Sequence, residues 1–570
     1  MNSVQRRQQL WLRRMSRRQM LKGMVAAGAL ASASALACRE EQPQVTPAPV
    51  QEETPRPGGT VRAPLVGLSS GNPPTLDPYK ELTYLAQIPA SWHYSRLVKF
   101  QAGPNIDPLD FSVVEGDLAE RWEIPDPQMY IFRLRPNIRF HNVPPLNGRP
   151  LTAEDILFSA RRISQDSPNR GSWNDVVDRV EAPDDRTVIV RLKKVFAPGL
   201  NHFANPELFR VQPKELIDAG LQERPVGTGP FIFEAFERDV AIKWRKNPDY
   251  FIADRPYVDR WEASLVGDPS TIIANLKTGT FDLALLDPAV YNTAKTEVPD
   301  LTFTYNKNQV IGGFYFNFDK EPWNDPRVRQ ALSMSIDRDG ILRVMDPTGQ
   351  GGWFSAISQL VPFWLDPKDQ SRFGPNARYF QRDVAEARRL LAAAGYPNGI
   401  DARVVYSPVY GKAYEQLFTL ATTTARDAGF RLQLQPQEYA AYLTTTFRGN
   451  IQPDGIAIGP LYVAVEPDAI FFTVYHPQSA RKNWGGTGPA SLDKDTQLLQ
   501  MFDAQRQELN ADRRVQLIHD IQRYMAEKMY MVPYSALPGV GGFRPWVRGL
   551  YYKSSFGYGA EVAIHVWLAR

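Results

Sequence analysis

Side chains able to do covalent or metal chemistry are few and scattered. The six histidines, at positions 93, 141, 202, 476, 519 and 565, include no pair spaced i, i+4. With no cysteine beside them, a zinc or nickel site would have to be assembled entirely by the fold. Gly67-Leu68-Ser69-Ser70-Gly71 matches the G-x-S-x-G turn of serine hydrolases, a turn that needs a strand before it and a helix after it. Asn72-Pro73-Pro74 follows and cannot begin that helix, so Ser69 reads as part of a surface turn. Gly227-Thr228-Gly229-Pro230 and Gly349-Gln350-Gly351-Gly352 complete neither G-x-G-x-x-G nor a P-loop, which argues against a nucleotide site. The chain is therefore expected to be no enzyme, to hold no metal and to need no cofactor. A secreted hydrolase using Ser69 or a carboxylate pair is the competing reading.

The one cysteine points to export. Ser16-Arg17-Arg18-Gln19-Met20-Leu21-Lys22 precedes a charge-free run, Gly23 to Ala37, which stops at Ala35-Leu36-Ala37-Cys38. A basic start, an apolar core too short to span a bilayer and a small residue before the cut make a secretory signal over residues 1–37. Arg17 and Arg18, followed by Leu-Lys, resemble the twin-arginine signal, although Met20 stands where phenylalanine is preferred. Ala-Leu-Ala-Cys resembles a bacterial lipobox, with Ala35 in place of the usual leucine. A lone thiol directly after a signal core has no disulfide partner in an oxidising compartment, so Cys38 is expected to carry acyl chains. Each buried CH₂ contributes about 0.8 kcal/mol, enough for several chains to tether the protein to a membrane surface. Pro, Gln, Glu and Thr dominate residues 40–57, so residues 38–57 read as a disordered tether.

Without the leader the charge balance reverses. Residues 1–37 contain seven Arg and Lys and no acid, so removing them takes the net charge from +4 to −3. No basic run remains to suggest nucleic acid, and no later apolar stretch approaches membrane-spanning length. Several cores fit in the remaining length. The elements are mixed. Tyr130–Leu134 and Thr187–Leu192 partly alternate, as half-buried strands do. Thr152 caps a helix carrying Asp155 in its first turn and Ile156, Ala160 and Ile163 on one face. Asp325-Pro326 starts a second helix, through Val328 and Leu332. Asp383 and Glu386 form a capping-box pair for a third, which ends at Gly395. No internal repeat occurs.

Six segments in order give the chain its family resemblance. Gly58-Gly59-Thr60-Val61-Arg62 with Thr75-Leu76-Asp77-Pro78 comes first; Asp117–Glu123 through Phe132–Pro136 to Phe140-His141, then Leu151–Ile156, is the most recognisable stretch. Gly227–Pro230 leads to Asn247–Phe251, Asn317 to Asp325–Leu332, and Ala392–Pro397 closes the third helix. Together they resemble the bacterial extracellular solute-binding proteins of family 5, the oligopeptide- and dipeptide-binding group of ABC importers. The resemblance implies an α/β, two-lobed periplasmic-binding-protein fold (type II, the large cluster with an extra subdomain), whose cleft lies between lobes joined by a two-segment hinge. Placed on this chain, lobe I takes residues 58–95, 225–318 and 536–570, its attached subdomain 96–224, and lobe II 319–535. Ile311 to Phe318 and Met531 to Ala536 would be the crossing strands, with Phe316, Asn317 and Phe318 at the hinge. Partners would be a small solute of the oligopeptide or oligosaccharide class and the permease subunits of the membrane. The receptor is expected to be a monomer, exported to the periplasm or cell surface and held there by its lipid.

Relatives that bind peptides neutralise the N-terminal ammonium with an aspartate just after a Gly-Trp pair. The corresponding stretch here is Gly459-Pro460-Leu461-Tyr462-Val463, which puts Val463 at the aspartate position. A buried ammonium without an anion costs several kcal/mol, so free peptides are disfavoured unless Glu466 or Asp468 substitutes. Tyr439, Phe447 and Ala457 stand where some relatives place an aromatic and basic residues. Tyr84 corresponds to a solute-backbone contact of the first lobe, while Tyr462 and Trp484 would add flat amphipathic surface. The expected solute is neutral or weakly polar: an oligosaccharide, glycoside or capped peptide. Cys38→Ser is expected to release the protein in soluble form, read by membrane fractionation; retention would contradict the anchor.

Overall fold

The computed structural model describes residues 54–65, 71–81, 83–446, 449–461, 464–479, 482–551 and 559–570. Cys38, Arg17, Arg18, Ser69, Phe447, Tyr462 and Val463 lie outside them. Met129–Leu134 and Thr187–Leu192 form adjacent antiparallel strands with Ile131 opposite Ile189, in a sheet completed by Ala119–Asp126 and Val177–Asp184. Helix Ala153–Gln165 buries Ile156, Ala160 and Ile163, the face its 3.6-residue period predicts. Its start is pinned twice: Thr152 N–H donates to Asp155 Oδ2 at 3.1 Å, and Arg149 bridges Asp155 (2.7 Å) and Glu215 (2.5 Å). From the same helix Arg162 grips Asp77 at 2.9 Å, with Asp77 fully buried. Two segments that carried the resemblance are thereby joined by one desolvated ion pair.

Asp77 leads into a second unit, where Thr60–Pro64 runs parallel to Arg260–Ser264, followed by Ala241–Lys246 and Phe231–Glu237. Trp92, Trp244 and Trp261 fill its core, with the rings of Trp92 and Trp261 4.3 Å apart. Gly227 and Gly229 allow a close crossing here. A Cβ on Gly229 would come within 2.7 Å of the Trp92 carbonyl, and one on Gly227 would collide with the His93 carbonyl. His141 seals the junction, its N–H donating to the Gly227 carbonyl at 2.8 Å and its Nε2 lying 3.0 Å from the Gly229 carbonyl. This Gly-Thr-Gly-Pro segment is a packing joint.

Two further sheets meet through paired crossings. Leu283–Leu286, Leu537–Phe543 and Thr302–Val310 form a three-stranded sheet, with Leu537–Phe543 in the middle. Phe430–Pro436, Ile400–Tyr406, Ile456–Pro460, Gly312–Phe316 and Val532–Pro533 form a five-stranded one. The chain leaves the smaller sheet at Val310 and joins the larger at Gly312; it returns between Pro533 and Leu537. The two passages are paired, Val310 opposite Leu537 and Gly313 opposite Pro533, and the Tyr534 N–H donates to the Gly312 carbonyl at 3.1 Å.

The sheet change lies at the start of the expected crossing strand, away from the residues expected at the hinge. Phe316 lies at the far end of its strand, paired with Ile456, and its ring stacks on Trp323 at 5.4 Å. The Asn317 and Phe318 N–H groups donate to Gly455 and Gly485. Their hydrogen bonds belong to the five-stranded sheet and its surroundings, while the sheet change occurs at Val310–Gly312. Helices Pro326–Ser335 and Val384–Ala393 begin where expected: Asp325 accepts from Arg327 N–H at 2.8 Å and Asp383 from Glu386 N–H at 2.9 Å.

Burial pushes His141 down to about 4. An imidazole held below its unfolded value near 6.5 binds fewer protons in the native state, so its stabilisation is present above pH 6.5 and lost as pH falls toward 4. Urea unfolding is expected to show this loss, and His141→Gln to flatten the pH profile in that window by roughly 3 kcal/mol; an unchanged profile would contradict the assignment.

Candidate functional site

Strands Ile400–Tyr406, Phe430–Pro436 and Ile456–Pro460 run parallel, so their carboxyl ends lie at one edge of the five-stranded sheet. Strand Gly312–Phe316 is antiparallel to Ile456–Pro460, with Gly312 opposite Pro460. The paired crossings therefore reach the sheet at that same edge. In open α/β sheets the crevice beyond the carboxyl ends is where solutes bind.

Tyrosines build this edge. Three of them, from three separate elements, take the last three carbonyls of one strand: Tyr442 donates to Ile458 (3.1 Å), Tyr534 to Gly459 (3.0 Å) and Tyr315 to Pro460 (2.7 Å). The end of the strand is thus held by side chains as well as by its ladder. Half-buried Tyr410, Tyr414 and Tyr439 lie alongside, the Tyr410 ring 5.7 Å from Tyr414 and 5.8 Å edge-on to Tyr439. Glu438 supports Tyr439 by capping helix Tyr439–Thr445, accepting from the Ala440 and Ala441 N–H groups at 2.9 Å. Burial raises the Tyr315, Tyr410, Tyr442 and Tyr534 phenols far above 10, so these groups stay neutral at every pH the fold tolerates. The arrangement offers flat rings and hydroxyl groups, suited to stacking and neutral hydrogen bonding.

The predicted residues fare unequally. Tyr439 stands at the edge. Trp484 does not: it is 2 % exposed, donates Nε1–H to the Tyr475 carbonyl at 3.0 Å and packs near Phe318, so it belongs to the core. Ala457 is fully buried in mid-strand. Tyr84 begins helix Tyr84–His93, but its side chain lies outside the described set. Glu466 and Asp468 are both committed. Glu466 pairs with Arg514 and accepts from Asp468 N–H at 2.6 Å, while Asp468 accepts from Gln505 (2.6 Å) and pairs with Arg506 (3.0 Å). Neither carboxylate is available to an incoming ammonium. Tyr410, Tyr414 and the three hydroxyl donors escaped sequence reasoning; the tyrosine density of residues 406–442 was the one available signal.

Sheet-bearing halves joined by paired crossings define a two-lobed periplasmic-binding-protein fold. Residues 113–480, more than half of the chain, match the family model of the bacterial extracellular solute-binding proteins, family 5 (middle part), and the chain belongs to that family of substrate-binding receptors for ABC import. It is 28% identical to the heme-binding protein A of Haemophilus influenzae over 83% of this chain and 86% of that one. Its fold superposes on the periplasmic binding protein DppA of Helicobacter pylori in complex with peptide STSA, with a TM-score of 0.74, 22% identity and coverage of 90% and 99%. It superposes similarly on AgaA of A. tumefaciens in complex with agropinic acid, with a TM-score of 0.72, 22% identity and coverage of 90% and 99%. No helix among the described residues is long and apolar enough to cross a membrane.

Away from the tyrosine edge, Arg506 ties helix Thr496–Gln507 to the segment 96–224. Its guanidinium pairs with Asp468 and, at 2.5 Å, with Asp175, and its carbonyl accepts from Ala197 N–H at 2.6 Å. Removing this cation strands Asp468, which is 4 % exposed, so Arg506→Ala is expected to lower the unfolding free energy by about 3 kcal/mol. Asp175, with 25 % of its side chain exposed, is partly screened, and Asp175→Asn is expected to cost about 1 kcal/mol. Urea titrations of the two variants check the order.

Proposed function

We propose that this chain is the extracytoplasmic receptor of an ABC importer, tethered through Cys38, that binds a neutral peptide-like or oligomeric solute. A capped peptide or oligosaccharide is favoured over a free peptide. In this reading lobe I comprises residues 58–95, 225–311 and 536–570, its attached subdomain 96–224, and lobe II 312–535, with the crossings as hinge. Solute touching both lobes favours closure, which the permease reads. The observation that carries the solute class is the commitment of both nearby carboxylates, Glu466 to Arg514 and Asp468 to Gln505 and Arg506. Val463 occupies the position of the ammonium-binding aspartate in the sequence, and the neighbouring phenols carry no charge to replace it. The likeness to a heme-binding relative and to an agropinic acid complex accords with a fold whose solutes extend beyond free peptides.

Calorimetry tests the reading. Tri- to pentapeptides with acetylated N-termini, and neutral oligosaccharides, are offered beside the free peptides. At least one blocked or neutral solute is expected to bind one-to-one about tenfold or more tighter than its free counterpart, a difference of about 1.4 kcal/mol or more, and to be recovered chemically intact. Micromolar binding of free peptides without preference for the blocked forms overturns the solute class; turnover of the ligand overturns the receptor.

A further inference from the structure

A pocket of about 670 Å³ shares no residue with the tyrosine edge. It opens where the paired strands Val98–Phe100 and Val114–Gly116 meet the loop 251–255 and the C-terminal residues Ile564 and His565. Its size is that of a small-molecule site. Lys99, Arg135, Arg255 and His565 line it, with Glu115 and Asp254 as the acids.

The cations there are under-neutralised. Lys99 is 3 % exposed and pairs with Glu115 at 3.5 Å, which leaves the two guanidinium groups as the unpaired cations. Arg135 gives Nε–H to the Asp117 carbonyl at 2.8 Å and directs Nη2 toward the Gly116 carbonyl at 3.5 Å, while its guanidinium lies 5.8 Å from the Phe251 ring. Arg255 stacks 3.9 Å from the Tyr257 ring and donates to the Asp254 carbonyl at 3.3 Å. Neither guanidinium pairs with a carboxylate among the described residues. Arg149, Arg162, Arg506 and Arg514, by contrast, each hold one. The imbalance is felt at His565, which burial first, then Arg255 and Lys99, push down to about 4.

We propose that this pocket is a second ligand site, which holds a small anion bearing phosphate or paired carboxylate groups between Lys99, Arg135 and Arg255. Planar guanidinium forks with unused donors match the oxygens of such groups, and the lysine adds a point charge from within. Glu115 and Asp254 limit the net positive charge, which favours a compact anion over an extended polyanion. The site is independent of the solute bound at the tyrosine edge.

The test titrates the mature protein with inorganic phosphate and, separately, with citrate, in low-salt buffer, by calorimetry and by histidine proton resonances assigned with His565→Gln. Saturable one-to-one binding of at least one anion below about 10 mM is expected. It should raise the His565 pKa by about one unit, because a bound anion opposes the two cations. Lys99→Gln and Arg255→Gln are each expected to weaken anion binding by about tenfold and to leave solute binding at the tyrosine edge unchanged. Response to phosphate alone identifies a phosphoryl ligand, and to citrate alone a carboxylate. Absence of saturable binding by either anion, or binding that both substitutions leave intact, overturns the proposal.

Discussion

The architecture depends on one pair of hydrogen-bonded extended segments that cross side by side between two sheets. Val310–Gly312 travels outward and Pro533–Leu537 returns beside it, in register. The contact is tight because glycine permits it: a Cβ on Gly312 would collide with the Gly459 carbonyl and the Tyr534 hydroxyl, and one on Gly313 with the Val532 carbonyl. Two extended strands without an intervening helix are the kind of connection about which packed halves can rotate. Arg338, 1 % exposed, donates to the Pro533 carbonyl at 2.6 Å and to the Ser333 carbonyl at 2.9 Å, and so fixes the start of the returning segment to the helix Pro326–Ser335.

The same crossing sets the chemistry of the edge beside it. Tyr315 and Tyr534 come from the crossing strands, and with Tyr442 they satisfy the end of strand Ile456–Pro460. Carbonyls bonded to phenols need neither water nor a cation, so the edge can be desolvated at little cost. Ionisable groups nearby are used elsewhere, Glu466 by Arg514 and Asp468 by Arg506. These charges are neutralised within the described structure.

Local rules made much of the fold legible in the sequence. Alternation located Met129–Leu134 and Thr187–Leu192, and side-chain caps located the helices at Thr152, Asp325 and Asp383, because each signal lies within a few residues of what it specifies. The conspicuous motifs have plain physical tasks: Asp77 answers Arg162, and Gly227 and Gly229 yield space to the backbone at Trp92 and His93. Less of the site was readable. Arg506 meets Asp175 across 331 positions, and three tyrosines from distant elements converge on one strand. Trp484 looks like a solute platform by residue type, but its indole N–H is consumed by Tyr475. The sheet change at Val310–Gly312 was not legible because the sequence of Phe314 to Phe318 is continuously apolar and aromatic apart from Asn317, with nothing in it to mark where one sheet ends.

Strand Leu537–Phe543 occupies the middle of its sheet but arrives after both neighbours in the order of synthesis. Leu283–Leu286 and Thr302–Val310 are therefore joined only through a strand that follows them by more than 220 residues. Val532–Pro533, an outer strand of the larger sheet, comes equally late. Both sheets thus depend on residues 532–543, and each is closed by contacts between remote parts of the chain.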